Sequence, residues 1–436
     1  MVADGGKFRF ETGNETGAAG NSGNLRAVHI DQLRGEAKAR DEKSQVAWWC
    51  DDWGNMRRSL FLTILTTVGW GQLLVPPDSR QARELKRFFD DAAGAKDKAE
   101  KLDCRVNPFP ARLSFGFQHW TGYDIALPVR QFATGGREKP MAIAVEVKPG
   151  DASTAASYFY SRAAFPRKVP AQLWLTKNAE MNLGGGFLVG AGKYSVSLWL
   201  MDSLGRGCRK SWKVEAQAKG VPLVLRPGEV AENGMERWKG VVGGSGKLSV
   251  YLHAAPMMRR RIMTKLSAWD RNVLLSSLKS LLEVGGFREA RVKVFDFDGR
   301  RVLFESESFG AEDYERLSEV LRNLGLGTVS METLKGPNEE AFLTSMIGEE
   351  VGRKDGSDAV VFIGPSWRWG EKLSPLLKEL RGQLPATYYL SLTPWFATST
   401  DLIEMFVKAG PKGKVLTVYQ PVDLAKAIRE IREKRN

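Results

Sequence analysis

The chain has 436 residues, 43% of them hydrophobic and 26% charged, which excludes a disordered chain and leaves room for two or three globular domains. Its formal net charge is +13, but the first 71 residues hold nine basic and nine acidic groups, and the longest basic run is only Arg259-Arg260-Arg261. Charge scattered in this way does not trace a phosphate backbone, and three cysteines and three histidines without C-x-x-C or H-E-x-x-H do not make a zinc site.

Residues 1–55 are polar, rich in Gly and Asn, and show no sustained helical or strand period, so they read as a disordered or mis-assigned extension. Residues 56–71 have the form of a secretory leader. Met56 is followed by Arg57 and Arg58, then a mostly apolar run from Leu60 to Val68, then Gly69 and Gly71 at the −3 and −1 positions before Gln72. The expectation is an exported protein, secreted or periplasmic, with Met56 as the true start. If Met1 is the start, the alternative is a cytoplasmic protein in which residues 60–70 form a buried element. The apolar run is too short for a stop-transfer helix, and no span is expected in the mature chain. Removing the leader discards Cys50 and leaves Cys104 and Cys208, which an oxidising compartment could join. Their spacing alone leaves open whether they meet or are unrelated.

Residues 72–103 read as a helical lead-in, with a helix from about Ser79 to Leu102. Residues 104–219 alternate with period two. Leu113, Phe115 and Phe117 form one run; Tyr123, Ile125, Leu127 and Val129 another; Ile143, Val145 and Val147 a third; Leu173 and Leu175 a fourth. Gly192 to Asp202, a turn at Ser203–Gly207, and Cys208 to Val214 close the set. Short runs of this kind between glycine turns predict an antiparallel β-sandwich. Within it, Gly192-Lys193-Tyr194 with Asp202 and Trp212 resembles the late strands of bacterial Ig-like modules, which implies a spacer or binding platform. Trp120 has the chemistry to stack on a sugar, but core packing is the favoured role. Residues 220–246 read as a glycine-rich linker, with one strand at Val221–Leu225.

From Lys247 to Asn436 strands alternate with helices. A strand at Leu248–Leu252 precedes a helix opened by the S-x-x-D capping box of Ser267 and Asp270 and stopped at Gly285-Gly286. Val292 to Phe304 contains Asp298-Gly299 and predicts a tight hairpin. Helices follow near 311–324 and 339–351, then the apolar strand Ala359–Gly364, a helix near 372–380, a strand near 387–392, a helix near 401–408, a strand at 414–419 and a final helix from Pro421. This order predicts a doubly wound, Rossmann-like α/β sheet.

Strand, helix, hairpin and three further strand–helix units resemble a von Willebrand A domain of the type found in secreted bacterial proteins. The likeness covers about Lys247 to Ile431 and rests on Val292–Phe304, Ala359–Gly364 and Lys414–Ile431. The family's metal site takes D-x-S-x-S after the first strand, a threonine from a later loop and an aspartate after the fourth strand. The corresponding positions here are His253, Ala255, Met257 and Gly364, with no threonine partner, so the resemblance implies a dead metal site and no cofactor. The carboxyl ends of the strands can still bind a protein partner. The candidate surface is Arg259, Arg260 and Arg261 with Trp367, Arg368 and Trp369 and with Trp395 and Phe396, since Trp and Arg are common interface anchors.

The resulting expectation is an exported, non-catalytic interaction protein: an Ig-like β-sandwich followed by a metal-independent von Willebrand A-like domain. One rival is an enzyme on the Rossmann-like sheet. The first strand–helix junction lacks the glycines such an enzyme would need, and Gly184-Gly185-Gly186 lies among strands with no following helix. A second rival is a cytosolic, basic nucleic-acid binder.

Overall fold

The computed structural model describes residues 72–94, 101–132, 139–151, 154–165, 179–217, 219–233, 238, 240, 243–258, 264–326, 338–366, 372–392 and 401–435. The leader, the apolar pair Leu173 and Leu175, and residues 1–55 lie outside the described residues.

Two antiparallel sheets occupy the first half. One has the order β1 (Leu73–Val75), β5 (Ser157–Phe165), β4 (Lys139–Pro149), β7 (Gly192–Asp202) and β8 (Gly207–Ala216). The other has the order β2 (Arg105–Leu113), β3 (His119–Pro128), β6 (Glu180–Val189) and β9 (Val230–Glu232). Period-two alternation sends Tyr123, Ile125 and Leu127 of β3, Ile143, Val145 and Val147 of β4, and Tyr194, Val196 and Leu198 of β7 into one shared core. Phe159 of β5 stacks on Phe187 of β6 across that core, with ring centroids 5.3 Å apart. Helix α1 (Arg80–Gly94) lies on the outer face of the five-stranded sheet, where Ala82, Leu85 and Phe89 pack with Ala142, Ala144, Tyr158 and Tyr160.

Three expectations change here. The lead-in is not only helical, because β1 pairs with β5 and Leu102 enters the shared core. Residues 221–225 form no strand: Pro222 has no N–H to give a ladder, and the Val224 amide donates to the Phe117 carbonyl instead (3.2 Å). The strand in this stretch is β9, which completes the second sheet against β6, so the glycine-rich segment is part of the structure it was expected merely to follow.

The second half is one six-stranded sheet in the order β12 (Arg301–Ser306), β11 (Glu289–Asp296), β10 (Lys247–His253), β13 (Ala359–Gly364), β14 (Ala386–Ser391) and β15 (Gly413–Thr417). All neighbours are parallel except β12, which returns antiparallel to β11. Helices α2 (Ala268–Val284), α3 (Ala311–Asn323) and α7 (Pro421–Arg435) cover the face carrying Leu248, Val250 and Leu252. Helices α4 (Glu339–Val351), α5 (Pro375–Gln383) and α6 (Leu402–Lys408) cover the face carrying Tyr251, Val360 and Phe362. With both faces covered, β13 is buried at every residue, as its unbroken apolar sequence requires. The strand order is that of a doubly wound sheet, with the switch point between β10 and β13.

Candidate functional site

The carboxyl ends of β10 and β13 meet at the switch point, where an open α/β sheet offers its ligand crevice. Among the described residues, the two strand ends pack directly against each other there. His253, the last residue of β10, is fully buried. Its ring stacks on Phe295 (centroids 5.3 Å, 14° between planes) and meets Phe297 edge-on at 5.0 Å. Nδ1 donates to the Pro365 carbonyl at 3.2 Å, which sets the tautomer and anchors β10 to the turn after β13.

Gly364 makes that approach possible. Its φ is +152°, and a Cβ there would lie 2.7 Å from His253 Cβ and 2.8 Å from the His253 carbonyl oxygen. The Gly364 carbonyl accepts from the Leu392 amide (2.9 Å) and from Tyr389 Oη (3.3 Å). Tyr389 Oη also lies 3.0 Å from Asp401 Oδ2, while Asp401 Oδ1 caps α6 through the Glu404 amide. Burial pushes the Tyr389 phenol well above its ordinary value, and the neighbouring Asp401 carboxylate pushes it the same way. Tyr389 is thus a neutral hydrogen-bonding strut.

Residues 254–257 continue from His253 entirely buried. The Ala254 amide donates to the Phe295 carbonyl (2.8 Å), and the Met257 amide to Asp270 Oδ1 (2.9 Å). Asp270 is the acidic member of the capping box: Oδ2 accepts from Ser267 Oγ (2.6 Å) and from the Ser267 amide (3.2 Å). One carboxylate therefore closes the start of α2 and pins the strand-to-helix connection. The box was visible in the sequence. The tie to Met257 was not, because it depends on which turn packs over the cap.

These residues do not fit a hard divalent cation, which needs several oxygen ligands around an accessible centre. His253 is clamped between rings, Ala255 and Met257 carry no side-chain oxygen, and Gly364 carries no side chain. The carboxylates at this end already have structural tasks: Asp270 and Asp401 cap helices, and Asp296 Oδ1 accepts from the Asp298 amide at 3.0 Å. Among the described residues, no three His, Cys, Asp or Glu side chains converge to hold a metal.

Of the surface expected at this edge, Arg259, Arg260, Arg261, Trp367, Arg368, Trp369, Trp395 and Phe396 all lie outside the described residues. Beside them in the chain, Met258 is 40% exposed and Trp269, in the first turn of α2, is 57% exposed. Both follow the buried His253–Met257 segment and put apolar area on this end of the domain.

Cys104 and Cys208 are joined as a disulfide with Cα atoms 6.3 Å apart. Cys208 is on β8 and Cys104 immediately precedes β2, so the bond staples the two facing sheets. Beside it, the Leu102 amide donates to the Gly207 carbonyl at 2.8 Å. Trp120 of β3 stacks on Phe109 of β2 at 5.6 Å, with its indole over Gly186 of β6. In the run of three glycines, Gly185 makes room for the buried ring of Tyr123 and Gly186 for Trp120.

At the opposite end of the parallel strands, a cleft is lined by ion pairs. Glu350 accepts from Ser249 Oγ (2.7 Å), Ser357 Oγ (3.0 Å) and Tyr251 Oη (3.2 Å), while Lys293 pairs with Glu305 at 3.0 Å and Arg353 with Glu307 at 2.5 Å. Such mutual pairing fixes the edge hairpin to α4.

No family model matches the chain, and no curated protein matches it. Among solved structures, it is similar to proximal thread matrix protein 1 of the mussel byssus, solved with a zinc-occupied MIDAS motif, at 11% identity and TM-score 0.30 over 44% of this chain and 48% of that one. It is also similar to an aerotolerance-related membrane protein of Bacteroides fragilis at 13% identity and TM-score 0.27, over 43% of this chain and 98% of that one. A third is BatB of Bacteroides thetaiotaomicron, at 15% identity and TM-score 0.26 over the same shares. The chain spans about half the length of the mussel protein it matches.

Proposed function

We propose that this chain is an exported, non-catalytic protein-binding molecule in which an Ig-like sandwich carries a von Willebrand A-like domain whose metal site has been replaced by packing. The observation that carries the reading is the contact between His253 and Gly364. At the position where the family would place its first metal-binding carboxylate, a buried imidazole is stacked on Phe295 and held by the Pro365 carbonyl. On this reading His253 and Gly364 leave no room for an ion between them, and recognition falls to the loops around them.

Further features support the parts of this reading. The six-stranded order, with an antiparallel hairpin at one edge, is the arrangement expected of such a domain. In the sandwich, β2, β3 and β6 line up as strands A, B and E, and β8, β7, β4 and β5 as G, F, C and C′. Tyr194, near the start of the F-like strand, donates from Oη to the Gly190 carbonyl at 2.9 Å, a tyrosine corner of the Ig type. The disulfide suits an oxidising compartment outside the cytoplasm. Among the described residues, no helix is long and apolar enough to cross a membrane.

The test is thermal unfolding of the full chain in EDTA, and in millimolar Mg²⁺, Mn²⁺ or Zn²⁺. A ligand that binds only the folded state raises the unfolding midpoint, and the rise grows with the logarithm of its concentration above Kd. The expected result is the same midpoint in all four conditions. A rise that grows with the concentration of Mg²⁺, Mn²⁺ or Zn²⁺ would overturn the metal-independent reading.

A further inference from the structure

The turn between β2 and β3 is built in an unusual way. Ser114 and Gln118 close it: the Ser114 amide donates to the Gln118 carbonyl (2.8 Å), and the Phe117 amide to the Ser114 carbonyl (3.0 Å). Three residues, Phe115, Gly116 and Phe117, form the loop. Hairpin loops of this length end on a left-handed residue, and glycine is the residue that adopts that conformation without steric cost. Here the left-handed position, with φ of +55°, is taken by Phe117, while glycine sits one residue earlier. A bulky side chain in that region is strained, and it persists only where surrounding structure holds it.

What holds Phe117 belongs to the other half of the molecule. Its side chain is 1% exposed and sits in the same buried cluster as Leu278, Leu281 and Leu282 of α2. Phe115 packs against that cluster as well, and its carbonyl accepts from Ser280 Oγ of α2 at 2.7 Å. The Phe117 carbonyl receives the Val224 amide at 3.2 Å. Farther along the connection, the Gly220 carbonyl receives Arg429 of α7 at 2.7 Å, and Trp238 is buried beside Phe309 and Tyr314. The connecting segment is thus sewn to both sides of the joint.

We infer that the β2–β3 turn is a latch: Phe117 is a sandwich residue that serves as a core residue of the α/β domain, and it locks the two into one rigid body. Domains joined by an exposed linker move relative to one another by default. This joint abandons that freedom at the cost of a strained backbone. Its position has a consequence for recognition. Ser280 lies in the C-terminal half of α2, toward the end remote from the carboxyl edge of the sheet where α2 begins. The sandwich therefore grips the α/β domain from below and holds the opposite edge outward in a fixed orientation.

Calorimetry and small-angle X-ray scattering on the full chain test this. The wild type is expected to unfold in one transition covering both halves. Phe117→Ala is expected to split it into two resolved transitions and to lengthen the maximum particle dimension, with the far-UV spectrum and the disulfide retained. If Phe117→Ala does not fold, the double variant Ser280→Ala/Arg429→Ala, which removes two polar ties and leaves the turn intact, carries the same readouts. Two resolved transitions in the wild type would overturn the latch. So would a single transition with unchanged scattering in the variants that fold.

Discussion

Gly364 and His253 compete for one space: only the missing side chain of the glycine lets the two strand ends close to the distance at which Nδ1 reaches the Pro365 carbonyl. Gly364→Ala is expected to destabilise the protein by about 2–4 kcal/mol, read as a shift in guanidinium midpoint at unchanged slope, because strain at a positive φ adds to a clash with backbone. His253→Ala in the same chain should not rescue it. Alanine keeps both the Cβ and the carbonyl oxygen that the new methyl would strike. Full rescue would show that the imidazole, not the backbone, sets the fit.

Asp270 serves two partners with two oxygens, and removing it exposes the difference between a cap and a tie. Ser267→Ala removes only the helix cap and is expected to cost about 1 kcal/mol. Asp270→Ala also strands the buried Met257 amide and is expected to cost about 2–4 kcal/mol. Equal costs for the two variants would mean that the tie contributes nothing.

The disulfide closes a loop with a sequence separation of 104 residues. Cys104→Ser/Cys208→Ser is expected to lower stability by about 2–5 kcal/mol in urea titrations under non-reducing conditions. Protein taken from its native cells is expected to weigh two hydrogens less than its reduced form and to begin at Gln72. A mass that includes residues 1–71 with free thiols would remove the case for export.

Acid should act in two stages. Burial holds the imidazole of His119 below its ordinary value of 6.5, so the unfolded chain takes up that proton first. Stability contributed by neutral His119 is complete above pH 6.5 and is lost as pH falls from there toward the lowered folded value. His119→Gln should flatten this first decline. The Arg353 guanidinium beside Glu307 holds its carboxyl below 4.5, so its contribution is present above that pH and is lost as pH falls further. Stability that stays level from pH 7 to 5 in the wild type would contradict the assignment to His119.

The α/β half was legible because its signals are local. The apolar run of β13, the Ser267–Asp270 box and the Asp298-Gly299 turn each specify an element from within a few residues. Strands β1 and β9 were not legible, since three residues carry no period and their pairing depends on β5 and β6 more than 80 and 40 residues away. The closed edge was half legible. The sequence singled out His253 and Gly364 as neighbours at the strand ends, while the stacking on Phe295 and the strut from Tyr389 needed three strands in register. Phe117 was misread: its alternation with Leu113 and Phe115 placed it on a strand, whereas β2 ends at Leu113 and Phe117 sits in the following turn, because the buried cluster that holds it is built from α2, far along the chain.

The central position of β10 also sets a timetable. This strand is the first of its sheet to be synthesised, yet one of its two edges must stay open until β13 arrives, and the Lys247 amide finds its acceptor in Asp358, 111 residues later. Closing so long a loop is slow compared with pairing β11 to β12, which needs only a turn. A nascent chain therefore holds an unfinished, apolar strand edge for most of the time its second half is being made. The opposite edge of β10 can be shielded early by β11, and the open edge passes outward in turn as β13 pairs with β10, β14 with β13 and β15 with β14.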